Sequence, residues 1–329
     1  MTAVVQDDAL AGLVDLGELI EAVRTAHRDL ALGRAAQPVP ATSSTEGATI
    51  VLPMVATSHR LGLTVVKVLT DAPGNRDAGG PVQQSTVVVL DSRTGDRLAV
   101  LSGATGTRMR TAAASAVATD ALARTDSRVL GLVGAGPLAV EHVAAIRRVR
   151  AIDRVVVWSR SSSRVAAFGS LLRQRERADG VPEIEVVALE SPRQVVDAAD
   201  VLCTLTPSRV PIVEGAWLRP GQHVNAVGAP PRPDHREIDS GGMARATVFV
   251  DSADVQLHDS GEVLLSLRDG ATTEQHFRSE LGAVLADLAP GRTGREQITL
   301  FNSIGIALQD LAFAALALRI DPAGERGRP

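Results

Sequence analysis

The run Arg128 to Val143, RVLGLVGAGPLAVEHV, limits what this chain can fold into more than any other stretch. It reads as a buried strand over residues 129–133, a turn Gly134-Ala135-Gly136, and a helix opening at Pro137. Gly134, Gly136 and Ala139 fit the G-x-G-x-x-G/A pattern, whose small residues let the backbone approach a pyrophosphate at the positive end of a helix. Glycine-rich turns are common, so the pattern alone is weak; the strand before it and the apolar helix after it turn it into a dinucleotide site. Gly134, Gly136, Pro137 and Leu138 are the expected contacts.

The surrounding pattern agrees. Short apolar runs at residues 129–133, 154–158, 184–188, 201–205, 223–227 and 247–250 read as strands. Helices near 138–149, 164–175 and 192–198 separate the early ones, which implies a doubly wound, parallel α/β sheet of the Rossmann type. The preceding part is different. Asp15 and Glu18 form a capping box, and Leu19, Ile20, Val23, Ala26 and Leu30 follow at helical spacing to a stop near Gly33. Strands are expected at 49–52, 62–69, 85–90 and 98–102, the last two joined by a hairpin turn at 91–96; residues 70–81 form a Gly/Pro/Asp loop. Residues 105–123 make a helix of small side chains. Residues 298–320, ITLFNSIGIALQDLAFAALALRI, read as one helix apolar over most of its surface, which should cross back to pack on the N-terminal part and leave a cleft between two domains. The expected division is therefore an α+β domain of residues 1–124 plus 301–329 and a Rossmann domain of residues 125–300, with a disordered tail from 321.

Composition excludes several functions. A net charge of -4 gives no basic field for nucleic acid, and 2% aromatic residues leave few stacking platforms, so no nucleic-acid partner is expected. The start MTAVVQDDALAG lacks a signal-peptide pattern and no apolar run reaches membrane-spanning length, which points to a cytoplasmic protein without a membrane partner. One cysteine, Cys203, allows neither an internal disulfide nor a Cys-rich zinc site and reads as a buried thiol. No tyrosine is present, so a mechanism resting on a tyrosine acid is ruled out.

The end of the second Rossmann strand reads the adenosine ribose: a carboxylate there holds a 2′-hydroxyl, an arginine accommodates a 2′-phosphate. Here Ser159, Arg160 and Ser161 stand at that edge and Asp153 lies at the far end of the strand. A guanidinium flanked by hydroxyls suits a phosphate dianion, so NADP(H) is expected over NAD(H). Thr206, just after the fourth strand, joins the expected cofactor contacts.

Chemistry points to Lys67. It is the one lysine among 34 Lys+Arg, set in the apolar run GLTVVKVL. Arginine has replaced lysine everywhere else, and a position that keeps a deprotonatable amine is expected to need what a guanidinium cannot supply. Burial and a nearby cation such as Arg110 would lower its pKa toward neutrality; the plain alternative is a strand lysine reaching to water. Arg108 and Arg110 sit in the first turn of the small-residue helix, where cations oppose the dipole. Either both are solvated or an anion sits nearby.

Together GLTVVKVL, TGTRMRTAAASAVATDALA, GLVGAGPLA, HVNAVGA and ITLFNSIGIALQDL resemble the ornithine cyclodeaminase/mu-crystallin family, in order and over nearly the whole chain. The resemblance implies a homodimer, a nicotinamide cofactor, and reactions at an amino-acid or cyclic-imine carbon. It implies that Lys67 is catalytic, that Arg110 holds the substrate carboxylate, that Arg110 and Thr111 border the cofactor, and that Val227 and Gly228 surround the nicotinamide. Two positions depart. Pro40 stands where a second carboxylate-binding arginine is common, and Pro230 stands where true cyclodeaminases carry an aspartate; Asp234 is displaced from that place. Proline neither ionises nor donates a backbone hydrogen bond. The expected activity is therefore NADP(H)-dependent reduction of an imine or ketimine, an amino-acid dehydrogenase in reverse. A cyclodeaminase-type lyase and a non-catalytic NADPH-binding protein are the alternatives.

Overall fold

The computed structural model describes residues 3–10, 12–41, 43–44, 49–76 and 79–320. The expected disordered tail from 321, and residues 77 and 78 of the 70–81 loop, lie outside them. The chain divides into two compact units, residues 1–110 with 306–329, and residues 111–305.

The first unit contains β1 (Ala3–Val5), α1 (Asp7–Leu10), α2 (Leu16–Ala31), β2 (Ala35–Ala36), β3 (Ser43–Ser44), β4 (Ile50–Ser58), β5 (Leu63–Asp71), β6 (Gln83–Asp91) and β7 (Arg97–Ser102). α3 (Gly103–Leu122) begins in it and continues into the second unit. Among the described residues the sheet runs β1-β7-β6-β5-β4-β2, with β3 also on β4; it is antiparallel except for β1 against β7. α2 starts where the capping box places it, Asp15 accepting from the amides of Gly17 and Glu18 at 2.7 and 3.0 Å. Its buried stripe is Leu16, Leu19, Ile20, Val23 and Ala26. The central strands are longer than the apolar runs suggest, because alternation continues through polar residues: Leu52, Met54 and Ala56 on β4 and Leu63, Val65 and Lys67 on β5 all point inward.

The second unit holds β8 (Val129–Val133), α4 (Pro137–Ile146), β9 (Arg154–Trp158), α5 (Ser162–Asp179), β10 (Glu185–Ala188), α6 (Pro192–Ala198), β11 (Val201–Thr204), β12 (His223–Ala226), α7 (Ser240–Arg245), β13 (Thr247–Val250), α8 (Ala253–Asp259), α9 (Gly261–Arg268), α10 (Leu281–Leu285) and β14 (Thr299–Asn302). Its strands pair in the order β10-β9-β8-β11-β12-β14-β13, all parallel. Strand order reverses between β8 and β11, and in open α/β sheets ligands bind at the carboxyl ends of strands beside such a switch point.

One expectation is corrected here. Residues 298–320 are not one helix: 299–302 form β14, and only Ala307–Ala317 form the final helix, α11. β14 is buried on both faces between β12 and β13, so it shows a continuous apolar run instead of alternation, which periodicity cannot tell from a buried helix. The break is built by Asp251, which accepts from Ser303 Oγ at 2.7 Å and the Gly305 amide at 2.9 Å, and by Gly305 at φ 83°. The contact boundaries fall at 110/111, within α3, and at 305/306, at this break. α11 packs on α2, β4 and β5 within the first unit. No helix among the described residues is long and apolar enough to cross a membrane.

Candidate functional site

In the first unit, Lys67 lies on the inward face of β5, across from Met54 on β4 and Val87 on β6, and is 1% exposed. A lysine so placed cannot reach water. Its Nζ donates instead to Asp310 Oδ1 on α11 and to Thr107 Oγ1 on α3, both at 2.8 Å. Arg110, one turn beyond Thr107, is also buried; its Nε stands 3.5 Å from the same Asp310 oxygen and its Nη1 donates to Gln309 Oε1 at 2.6 Å. Gln309 Nε2 lies 3.1 Å from His27 Nε2. With Gln309 Oε1 accepting from Arg110, its amide nitrogen is the donor, so His27 Nε2 accepts and the imidazole is neutral. Burial and the Arg110 charge agree, pushing the His27 pKa down to about 4.

Two cations thus share one carboxylate in a buried place. Burial lowers the Lys67 pKa, Arg110 lowers it further, Asp310 opposes both, and the balance leaves it at about 8. Arg110 Nε and Asp310 Oδ2 have no hydrogen-bond partner among the described residues. Surplus positive charge beside unsatisfied polar atoms is what an anionic ligand with a polar nitrogen would complete.

Arg108 has a different fate from Arg110. The anion expected near it is the chain's own Asp7, which accepts from Ser102 Oγ at 2.5 Å and the Thr105 amide at 2.7 Å at the start of α3. Partial burial works against ionisation of Asp7, but these bonds and the Arg108 charge hold its pKa below the ordinary carboxylate value.

In the second unit, the glycine turn joins β8 to α4. Gly134 has φ 120°, a conformation that excludes most side chains, and a Cβ there would also lie 2.9 Å from Leu205 O. The N-cap of α4 is Gly136, which offers no side-chain cap, and a Cβ on it would meet nothing within 4 Å. The space in front of the helix is open and its N-terminus uncapped, which fits a phosphate group. Pro137 and Leu138 occupy the first turn of α4. Beyond β9, Arg160 is exposed and Ser159 half-buried, while Ser161 caps α5 by accepting from Arg164 N and also bonds Ser163 Oγ at 2.7 Å. Asp153 lies before β9 and faces Arg128 at 3.7 Å.

Thr206 and Gly228 follow β11 and β12. A Cβ on Gly228 would fall 2.0 Å from Thr206 N, so the two loops touch backbone to backbone. Gly228→Ala is expected to force them apart and abolish cofactor binding; calorimetric titration at unchanged fold, checked by circular dichroism, measures it. Val227 is buried beside them, its amide donating to Thr204 O at 3.2 Å, and Thr111 is buried in α3. Cys203 is buried, with its pKa pushed up to about 12 mainly by desolvation, and has no nucleophilic character. Pro40 and Pro230 are buried, and Asp234 is exposed and engaged with His235 at 2.8 Å and Arg209 at 3.6 Å.

Sequence reasoning found Lys67 and Arg110 but missed Asp310, Gln309 and His27, which surround them. Asp310 had a signal: it is the one carboxylate in residues 298–320, where burial demands a cationic partner, and one lysine was in search of one. Also missed is Glu237, whose carboxylate receives Thr204 Oγ1, Thr206 N, Thr206 Oγ1 and Gly228 N at 2.6–2.8 Å.

A nucleotide-type sheet with an uncapped glycine turn, joined in one chain to a buried lysine–carboxylate–arginine cluster, defines a class of two-unit proteins. This chain belongs to the ornithine cyclodeaminase/mu-crystallin family, matching it over residues 2–318. It is 36% identical over 250 residues to the ketimine reductase mu-crystallin of Mus musculus, covering 76% of this chain and 74% of the mouse protein. Among solved structures it is similar to Thermococcus litoralis Delta(1)-pyrroline-2-carboxylate reductase in complex with NADH and L-proline, with a TM-score of 0.90, 32% identity and 96% of each chain covered. An archaeal alanine dehydrogenase dimer with bound NAD superposes with a TM-score of 0.88 at 30% identity, covering 96% of this chain and 94% of that one.

Proposed function

We propose that this protein is a nicotinamide-dependent reductase of a small imine or ketimine that carries a carboxylate. The observation that carries the reading is the buried Lys67–Asp310–Arg110 cluster, an amine titrating near neutrality beside a surplus positive charge. When bound, the nicotinamide supplies a hydride. Gly134, Gly136, Pro137 and Leu138 would hold its pyrophosphate, and Thr206, Val227, Gly228, Arg110 and Thr111 would border the remainder. Lys67 keeps the substrate nitrogen protonated, which makes the C=N carbon electrophilic. Asp310 orients Lys67 and sustains its charge. Arg110 binds the substrate carboxylate through guanidinium donors that Gln309 and Asp310 leave over. With Pro40 in place of a second arginine, one guanidinium carries that clamp. With Pro230 in place of a base and Asp234 turned to His235 and Arg209, cyclodeamination lacks its expected group.

The test is NADPH oxidation over a panel of cyclic and open-chain imino acids. Turnover with at least one carboxylated imine is expected. Cofactor binding with no turnover on any would overturn the reading in favour of a non-catalytic binder, and ammonia release from ornithine without net cofactor consumption would do so in favour of a lyase.

The cofactor proposed is NADP(H) in preference to NAD(H), supported by the exposed Arg160 at the β9 edge and by the position of Asp153 before the strand. Arg160→Ala is expected to lower kcat/KM for NADPH about tenfold while leaving that for NADH unchanged, as loss of a charge-assisted bond predicts. An unaltered NADPH-to-NADH ratio would sink the assignment. A homodimer is the proposed assembly, supported by similarity to the alanine dehydrogenase dimer and checked by sedimentation equilibrium.

A further inference from the structure

Glu237 is fully buried in the second unit, under the loops that follow β11 and β12. Its Oε2 accepts from Thr204 Oγ1 at 2.7 Å and Gly228 N at 2.8 Å; its Oε1 accepts from Thr206 N at 2.6 Å and Thr206 Oγ1 at 2.7 Å. Both amides can only donate, and four donors on one carboxyl favour its ionised form. The neighbouring Glu262, also buried, has a poorer setting: Oε1 accepts from the Glu237 amide at 2.9 Å and Oε2 has no partner among the described residues. Two adjacent carboxyls out of water cannot both hold a charge cheaply. Burial raises both, Glu237 to about 7 and Glu262, which also feels the Glu237 charge, to about 8, so the charge of the pair resides on Glu237 and becomes complete as pH rises above 7.

No cation among the described residues bonds either carboxyl. Arg236, whose charge reaches Glu262, is bonded to Ser240 Oγ and Asp269. Cys203, which feels the Glu237 charge, is a neutral thiol at ordinary pH. An uncompensated buried anion costs several kcal/mol in general; the four hydrogen bonds offset part of that cost here, and no cation among the described residues neutralises the charge. It lies under Thr206 and Gly228, beside the switch point, where a nicotinamide ring would sit under the reading above, on which this inference rests.

We propose that Glu237 is the counter-charge of the oxidised nicotinamide: its buried carboxylate stabilises the ring when it is cationic and leaves the neutral, reduced ring unassisted. Loss of hydride from C4 makes the ring positive, while the hydride's two electrons and proton pass to the substrate C=N carbon. A fixed negative charge under the ring therefore favours reduction on the protein. It also binds the spent cofactor more tightly than the fresh one, relative to a site without that charge.

The test is binding of NADP+ and NADPH, each measured by calorimetry on the full chain. Glu237→Gln is expected to weaken NADP+ relative to NADPH by about tenfold, or ~1.4 kcal/mol. Glu262→Gln keeps the acceptor for the Glu237 amide and is expected to leave the ratio within about twofold. Thr204→Val removes one donor at nearly constant volume, so Glu237 holds its proton to higher pH. That variant is expected to show a reduced NADP+ preference at neutral pH that returns to the wild-type value on raising the pH, a recovery that misplaced loops would not show. It also decides the matter if Glu237→Gln does not fold. Equal weakening of both cofactor forms, or a Thr204→Val ratio insensitive to pH, would overturn the proposal and leave Glu237 a prop for the loops. Failure of wild type to bind NADP+, NADPH, NAD+ and NADH alike would instead remove the nicotinamide reading itself.

Discussion

Replacing Lys67 by arginine is expected to lower imine reduction at least about 10²-fold while NADPH still binds, since general acid–base groups contribute ~10²–10⁴. The positive charge is kept, so electrostatic attraction for a carboxylated substrate survives. What is lost is a proton that can leave: a guanidinium stays protonated at all accessible pH. Arginine is also bulkier, and Lys67 is enclosed by Met54, Val87, Thr107 and Asp310. Lys67→Met, close in volume and without an amine, separates the two effects: it should be as inactive as arginine but melt near or above wild type. Steady-state kinetics with calorimetric NADPH titration read the result, and full activity in Lys67→Arg would refute the assigned role.

The second large effect concerns Asp310. Asp310→Asn leaves two buried cations without their carboxylate, and breaking a buried pair from one side generally costs ~3–5 kcal/mol. Its kinetic signature is specific. Lys67 is lowered from 10.5 to about 8, and Asp310 is the group that resists that fall. Imine reduction needs protonated Lys67, so wild-type turnover should decline as pH rises through about 8, while amine oxidation, which needs the free amine, should rise through the same value. In Asp310→Asn both limbs move to lower pH, and turnover at neutral pH recovers partly on acidification. Unmoved limbs would show that Asp310 does not act through Lys67. The same depression works against the fold. Unfolded chain holds the Lys67 proton more firmly, so the penalty is present in full below about 8 and fades as pH rises toward 10.5.

Much of this was legible in the chain itself, for reasons that differ by residue. Lys67 stood out because composition isolates it, and Arg110 because the sequence sets it in the first turn of a helix, although α3 begins at Gly103 and carries Arg110 beyond that turn. The glycine turn could be read because positive φ at Gly134 and an open N-terminus at Gly136 restrict residue type locally. β14 could not, since a strand buried on both faces carries no period. Glu237 could not either: nothing in PRPDHREID marks its glutamate as buried, and only the meeting of two other segments, Thr204 with Thr206 and the loop at Gly228, encloses its carboxylate. Arg108 shows the converse. α3 begins at Gly103, so Arg108 is not in its first turn, and the anion that Arg108 meets is Asp7, just over a hundred residues earlier.

The placement of β14 has a consequence for biosynthesis. β13 has β14 as its strand partner, and β12 needs β14 on its outer side, so a nascent chain that has emerged only to Val250 carries an incomplete sheet. A few residues after β14, α11 brings Asp310 to Lys67, which until then is an amine on an apolar strand with no carboxylate to receive it. One late segment therefore closes both units, and a ribosome stalled before residue 299 would present two unfinished cores to chaperones and proteases instead of one finished and one pending.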